Sequence, residues 1–200
     1  MKKVDSNQQT LSDVANISTG RSFRGGVSEI SDGQYHVLQL KNVVSTDNGY
    51  TISTDNLIRT TIEMKNKRPI PLLHDGDIVV MAKGSDFKAH RLSHVPANTV
   101  GTQHFISIAS KDRNVVLDDF IYFYLNLSST QQWLETHGGG TYQKTISVAT
   151  LSKLPFPIIS IEKQQQLLDI AKGAAREKQI LLELIDNRNQ QIEAIIRECF

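Results

Sequence analysis

Two groups of residues have types and spacings that could support metal chemistry. His90 and His94 are four residues apart, which is a zinc-ligand spacing on a helix, but no glutamate follows the first and Pro96 disfavours a helix there. Loop histidines near basic residues more often contact solvent or nucleic acid. We therefore expect no metal site at these histidines.

A second arrangement resembles the carboxylates and lysine of a metal-dependent nuclease. Asp55 and Glu63 would hold a magnesium ion, and Lys65 would face the scissile phosphate. A Glu-x-Lys triplet arises often by chance, so a nuclease is the alternative and not the leading hypothesis. The sequence also lacks a dinucleotide-binding glycine motif, a phosphate-loop lysine and a nucleophile elbow. We predict no catalytic residue.

The loop that follows Gly138 has a composition suited to binding. It combines flexible glycines with an aromatic ring, an amide and a cation, at Thr141, Tyr142, Gln143 and Lys144. Glutamine and lysine can hydrogen-bond base edges, and threonine and lysine can hold phosphates. An ordinary solvated turn explains the same residues about equally well.

Charge gives weaker information. The net charge is +1, which does not favour nucleic acid. Residues 59–68 and 81–91 are locally basic and could neutralise phosphates. On charge alone, a solvated surface is the preferred interpretation of both segments.

The elements that would position these residues mix strands and helices. Alternating or continuous apolar runs predict strands, and acidic residues before an aromatic run predict a helix. The predicted strands are Tyr35–Leu40, Asp77–Ala82 and His104–Ala109, and the predicted helices are Phe120–Leu127 and Ser129–Thr136. We expect an α+β fold in which residues 1–157 form a globular domain with a twisted mixed sheet and short helices.

The residue pattern of segment 158–200 predicts a long C-terminal helix that pairs with another helix. From Ser160, a plausible N-cap, to the end there is no proline, and Gly173 is the only glycine. Apolar residues recur at coiled-coil spacing, with two polar interruptions. The seam positions are Leu167, Ala171, Ala174, Lys178, Leu181, Ile185, Arg188, Ile192 and Ile195. A helix folded back on its own domain is the alternative.

No apolar run is long enough for a membrane helix, and no signal peptide is recognisable at the start. Cys199 is the only cysteine, which suits a reducing compartment. We therefore predict a cytoplasmic protein that does not contact a membrane.

Five short motifs occur in order along the chain: Leu11–Gly20, Leu38–Val43, Gly76–Val79, Thr141–Ser147 and the junction Leu151–Pro157 followed by Glu162-Lys163-Gln164. In their order and spacing they resemble the specificity subunit of type I restriction–modification systems. The likeness covers about Leu11 to Ile195. Family members usually carry two recognition domains and two helices, so this chain resembles a half-subunit. It departs from the family at Ile159-Ser160, which replaces a double proline, and at Lys163, which splits the usual Glu-Gln.

The resemblance implies a non-catalytic subunit that reads one half of a split double-stranded DNA target. Its helices would act as a spacer and dock the methyltransferase subunit, and the restriction subunit would join through the complex. No cofactor is expected on this chain, because S-adenosylmethionine, ATP and magnesium would belong to partner subunits. If two copies pair through their helices, a two-fold axis relates them, and the target would be an interrupted palindrome.

The candidate DNA-binding residues are charged, polar or aromatic and are placed in predicted loops. They are Arg21, Arg24, Lys83, Ser85, Lys88, His90, Arg91, Gln103, Thr141, Tyr142, Gln143 and Lys144. Only the last four are supported by the resemblance. Besides the nuclease, two alternatives remain open: an orphan subunit that binds only a methyltransferase, and a fragment of a longer two-domain subunit, which the initial methionine mildly disfavours.

Overall fold

The computed structural model describes residues 9–46, 49–62, 70–84, 86–140 and 144–198. The chain divides into two compact units between Ile158 and Ile159. Among the described residues, no helix is both long enough and apolar enough to cross a membrane.

The described part of the first unit alternates short strands with short helices. Its elements are α1 (Leu11–Val14), β1 (Ala15–Thr19), β2 (Tyr35–Leu38), a 3₁₀ helix (Leu40–Asn42), β3 (Val43–Thr46), β4 (Gly49–Ile52), β5 (Ile58–Thr60), β6 (Ile78–Met81), β7 (Ala89–Arg91), β8 (Thr99–Gly101), β9 (Phe105–Ser110), α2 (Asp118–Leu125), α3 (Ser128–His137) and α4 (Val148–Ser152). The predicted α+β class is confirmed.

The strands form separate sheets where we predicted one mixed sheet. An antiparallel sheet has the order β1-β9-β6-β7, and a mixed sheet has the order β5-β2-β8. Strands β3 and β4 pair as a hairpin. The strand predicted at Tyr35–Leu40 ends at Leu38, because the backbone turns there into the 3₁₀ helix.

The two larger sheets share a hydrophobic core. All four residues of β6 are buried, as its continuous apolar run requires. Leu38 of the mixed sheet belongs to the same buried cluster as Val79, Met81 and Phe105 of the antiparallel sheet. Leu92, which directly follows β7, completes this group. This packing brings the loop ends of both sheets together.

The outer strand β7 is covered by side-chain amides from the helical region. The Asn126 amide bonds both the N–H and the C=O of Ala89, and the Gln131 amide does the same for Phe87, all at 3.1–3.2 Å. Residues 87 and 89 lie two apart, so both present the same backbone edge. The amides occupy hydrogen-bonding groups that an exposed edge would offer to another strand.

The second unit is a single helix, α5 (Ile161–Glu198), of 38 residues. The Ser160 hydroxyl accepts from the N–H of Lys163 at 3.4 Å, as predicted for its N-cap. At about 1.5 Å per residue, the helix is roughly 57 Å long. Gly173 causes no break in it.

Candidate DNA-binding edge

One edge of the four-stranded sheet collects several of the predicted binding residues. At this edge β1 and β6 end while β7 and β9 begin, because the paired strands are antiparallel. The chain leaves β1 toward Arg21, leaves β6 toward Lys83, and enters β7 from Lys88. We call these loop ends, together with Gln103 before β9, the basic edge.

Main-chain hydrogen bonds fix the position of Arg21 beside Gln103. The N–H of Arg21 donates to the carbonyl of Gly101 at 2.7 Å, and the N–H of Gln103 donates to the carbonyl of Arg21 at 2.8 Å. A tight turn from Thr102 to Phe105 places Gln103 at its tip. Two residues that are about 80 positions apart in sequence therefore become neighbours.

Gly20 permits this close approach of β1 to β8. A Cβ at Gly20 would collide with the carbonyl oxygens of Gly101 and Thr102. Its own N–H donates to the carbonyl of Phe105 at 2.9 Å. The glycine that ends the first family-like motif thus has a packing reason, since any other residue would push Arg21 away from Gln103.

The basic edge continues to the base of the glycine-rich loop. The N–H of Ala82 donates to the carbonyl of His104 at 2.7 Å, and the N–H of Ile146 donates to the carbonyl of Ala82 at 2.9 Å. Lys83 and Thr145 form a β-bridge, and two main-chain bonds join Gly139 to Thr145. Lys144 is therefore held next to Lys83.

Of the predicted binding residues, Ser85, Thr141, Tyr142 and Gln143 lie outside the described residues.

The charges at this edge are exposed. Lys83, Lys88 and Lys144 all lie at the surface. The Lys144 ammonium lies 3.4 Å from the Glu135 carboxylate, but both side chains are nearly half exposed, so the pair contributes little stability. Lysines in such positions can exchange a weak partner for a DNA phosphate.

An open cleft of about 220 Å³ lies at the basic edge. Arg21 and Gln103 line it, as do Phe23, Gly26 and Val27 from the loop that carries the exposed Arg24. Four further polar residues that the sequence reasoning missed also line the cleft: Gln39, Lys41, Thr102 and His104. Lys41 stands apart from the two basic segments of the sequence, so charge clustering could not find it.

Arg91 lies at the opposite edge of the sheet. Its partner across the strands is Ile78 at the start of β6, whereas Lys83 follows the end of β6. The Arg91 guanidinium is 2.6 Å from the Asp119 carboxylate and 5.5 Å from the Tyr122 ring centroid. These contacts give Arg91 a role in joining β7 to α2, and its predicted role in DNA binding remains a prediction.

His90 lies between the two edges. It pairs with Val79 in the middle of β6, and its Nε2 is buried without a hydrogen-bond partner. Burial lowers the pKa of His90, opposed more weakly by the Asp86 carboxylate. Burial of this ring favours the neutral imidazole. A direct contact with DNA stays a prediction for it.

The residues proposed for a nuclease are only partly described. The Asp55 carboxylate accepts the Ser53 hydroxyl at 3.0 Å at the surface, while Glu63 and Lys65 lie outside the described residues. Within the described part of the chain, no group of three histidine, cysteine or acidic side chains is arranged to hold a metal ion.

A family model described as the type I restriction modification DNA specificity domain matches residues 3–194. This chain belongs to that family. The resemblance drawn from the five motifs is confirmed, and so is the classification as a type I restriction–modification specificity domain. No significant match is found among curated proteins.

Solved structures of type I systems share the fold of this specificity chain. The S subunit from M. genitalium matches with a TM-score of 0.53 and 17% identity over 93% of this chain and 44% of that one. The HsdS subunit from Thermoanaerobacter tengcongensis matches with a TM-score of 0.54 and 13% identity, over 84% and 37% of the two chains. A chain from a study of type I R-M complex assembly and conformational transition gives 0.56 and 11%, over 86% and 39%. The present chain thus spans about two fifths of the proteins that it matches.

Proposed function

We propose that this chain is the DNA sequence-recognition subunit of a type I restriction–modification system and performs no chemistry itself. Residues 1–157 would read one half of a split double-stranded DNA target, and residues 158–200 would pair with another helix. The observation that carries the proposal is the basic edge, where Arg21, Lys83, Lys88 and Lys144 come together from separate segments.

The glycine-rich loop beside the basic edge supplies the candidate for a base contact. Base edges lie at the floor of a major groove about 8.5 Å deep, so only protruding groups reach them. The glycine-rich loop is closed at its base by paired main-chain bonds between Gly139 and Thr145. Gln143 belongs to that loop and remains our first candidate for a base contact. Lys83 and Lys144 beside it supply cations for the flanking phosphates.

The exposed apolar side chains of α5 support pairing with a second copy. Ile185, Ile192 and Ile195 lie on the predicted seam and are 56–62% exposed. Ile180 and Leu184, which the seam did not include, are also about half exposed and widen the apolar surface. Such surface is costly in water, and an antiparallel partner would cover it. The homodimer would carry two identical readers and recognise an interrupted palindrome.

The same proposal assigns the remaining partners. The methyltransferase subunit would dock on the specificity subunit, and the restriction subunit would join through that complex. S-adenosylmethionine, ATP and magnesium would be bound by those partners and not by this chain. A cytoplasmic location stays a prediction from the single cysteine. The nuclease and the orphan subunit gain no specific support from the described residues.

Selection of bound sequences from random duplex DNA, with the cognate methyltransferase present, tests the proposal. We expect an enriched motif made of two inverted half-sites with a fixed gap. Gln143→Ala should weaken binding to that motif more than to unrelated DNA. Binding without any enriched motif, with the methyltransferase still captured, would instead identify an orphan subunit. Cleavage by the purified chain with magnesium would identify a nuclease.

A further inference from the structure

The cleft at the basic edge contains polar groups that the protein itself leaves unsatisfied. Thr102 is only 6% exposed, and its Oγ1 has no hydrogen-bond partner. The Nε2 of Gln39 is likewise buried without a partner. Buried polar atoms are nearly always hydrogen-bonded, so two such atoms on the wall of one cleft suit a hydrogen-bonding partner from outside the chain.

The chemistry of the lining identifies the kind of ligand. An amide Nε2 can only donate, and a threonine hydroxyl can donate. Arg21 and Lys41 add cationic donors, and no carboxylate is found among the described residues that line the cleft. The site therefore offers donors and positive charge to an acceptor that is anionic.

The concave shape of the cleft favours a phosphate over a base edge as its ligand. Phosphates protrude from the outside of a duplex, whereas base edges lie at the floor of a groove. A cleft of about 220 Å³ can receive a protruding group but cannot enter a groove.

We propose that the cleft lined by Arg21, Gln39, Lys41, Thr102, Gln103 and His104 binds a backbone phosphodiester of the DNA target. This inference rests on the proposed function and makes it more specific. Arg21 and Gln103 fix the position of the duplex, and the glycine-rich loop reads the sequence. The phosphate is held by contacts that are the same for every sequence.

Thr102→Val provides the first test because it removes an unpartnered hydroxyl at nearly constant volume. The thermal stability of the variant should equal or exceed that of the wild type. Its affinity for duplex DNA, measured by fluorescence anisotropy, should fall about 2- to 10-fold, the effect of one lost hydrogen bond. Thr99→Val is the matched control, since the Thr99 hydroxyl donates to the carbonyl of Pro96 at 2.6 Å. That variant should lose stability and keep its affinity for DNA.

Lys41→Gln provides the second test through salt dependence. The slope of log affinity against log salt concentration should decrease by about 1, and the loss should be equal for the selected motif and for unrelated DNA. Lys111→Gln is the charge-matched control, because Lys111 follows β9 at the opposite edge of the sheet. It should leave the slope unchanged.

The outcomes separate this inference from the proposed function. If the wild type selects a motif but both cleft variants bind like the wild type, the phosphate site is wrong and the recognition function stands. A loss confined to the selected motif would reassign the cleft to base reading and overturn the inference. If the wild type selects no motif but the cleft variants bind all DNA more weakly, the phosphate site stands and the recognition function fails.

The cleft could also bind the phosphate of a small molecule, which would use the same donors and positive charge. Inorganic phosphate, compared with chloride at equal ionic strength, serves as the probe in thermal denaturation. Stabilisation of the wild type that Thr102→Val abolishes, with unchanged affinity for DNA, would assign the cleft to a small phosphorylated ligand and overturn the inference. Loss of DNA affinity in the same variant supports it.

Discussion

Apolar side chains are buried in the antiparallel sheet but exposed to solvent on the long helix. Ile78, Val79 and Val80 of β6 are at most 1% exposed, whereas Ile180, Ile185 and Ile195 of α5 are 54–62% exposed. The first unit encloses its own core, so its stability depends on packing within one chain. The apolar stripe of α5 remains open to solvent over most of its length, and its burial would require an additional surface.

The largest expected effect comes from the enclosed core. Phe105→Ala removes a ring that is 1% exposed within the cluster shared by both sheets. The free energy of unfolding should fall by about 3–5 kcal/mol, as for other buried aromatic truncations. Urea denaturation followed by tryptophan fluorescence measures this loss, since Trp133 lies in the same unit. A loss below that range would mean that the core is less closely packed than the burial indicates.

The next effect concerns the helix and should leave the first unit intact. Ile185→Asp combined with Ile192→Asp places two charges on the predicted seam, and self-association should weaken by about 2 kcal/mol or more. Gln179→Asp combined with Gln190→Asp is the control, because it adds the same charge at two heptad positions that are polar along the whole helix. Sedimentation velocity compares the two pairs. Equal behaviour would show that the seam is not the pairing surface.

A smaller effect is expected beside the outer strand β7, where side-chain amides bond the backbone. Gln131→Met leaves the N–H and C=O of Phe87 without the amide, which should cost about 1–3 kcal/mol of unfolding free energy. Gln132→Met is the control, because the neighbouring Gln132 is exposed. If both variants unfold alike, the amide does not stabilise this edge.

Within the helix, Gly173→Ala should have an effect of about 1 kcal/mol in the opposite direction. A Cβ at Gly173 meets no atom within 4 Å, so alanine adds helix propensity without a clash. Amide hydrogen exchange along α5 should slow near residue 173. Gly76→Ala is the contrasting control, because Gly76 has a φ of +85° that alanine adopts only with strain. Unchanged exchange near residue 173 would show that the glycine does not weaken the helix.

The smallest expected effect is a pH dependence of the stability of the first unit. Burial lowers the pKa of His90 below its ordinary 6.5, so the unfolded chain binds more protons near that pH. The stability contributed by the neutral ring is present above pH 6.5 and is lost as the pH falls below it. His90→Phe should remove this part of the acid dependence of the first unit. Parallel pH profiles for the wild type and the variant would contradict the effect.

Features that depend on local pattern could be predicted from the residues alone. The apolar run before Lys83 predicted a strand. The heptad spacing after Ser160, in a segment without proline, predicted a long helix with an apolar stripe. The family resemblance followed from motifs in order along the chain. Each of these signals lies within a short stretch of residues, where period and capping act directly.

Which distant residues share a surface depends on strand pairing and packing in the folded chain, and local pattern did not predict it. Arg21 and Gln103 become neighbours because Gly20 admits the backbone of Gly101 and Thr102, and Lys83 meets Lys144 through the bridge to Thr145. The fold also placed Arg91 at the far edge, beside Asp119, although Arg91 follows Lys88 by three residues. Lys88 directly precedes the strand β7 and Arg91 ends it, whereas antiparallel pairing brings the end of β6 next to the start of β7.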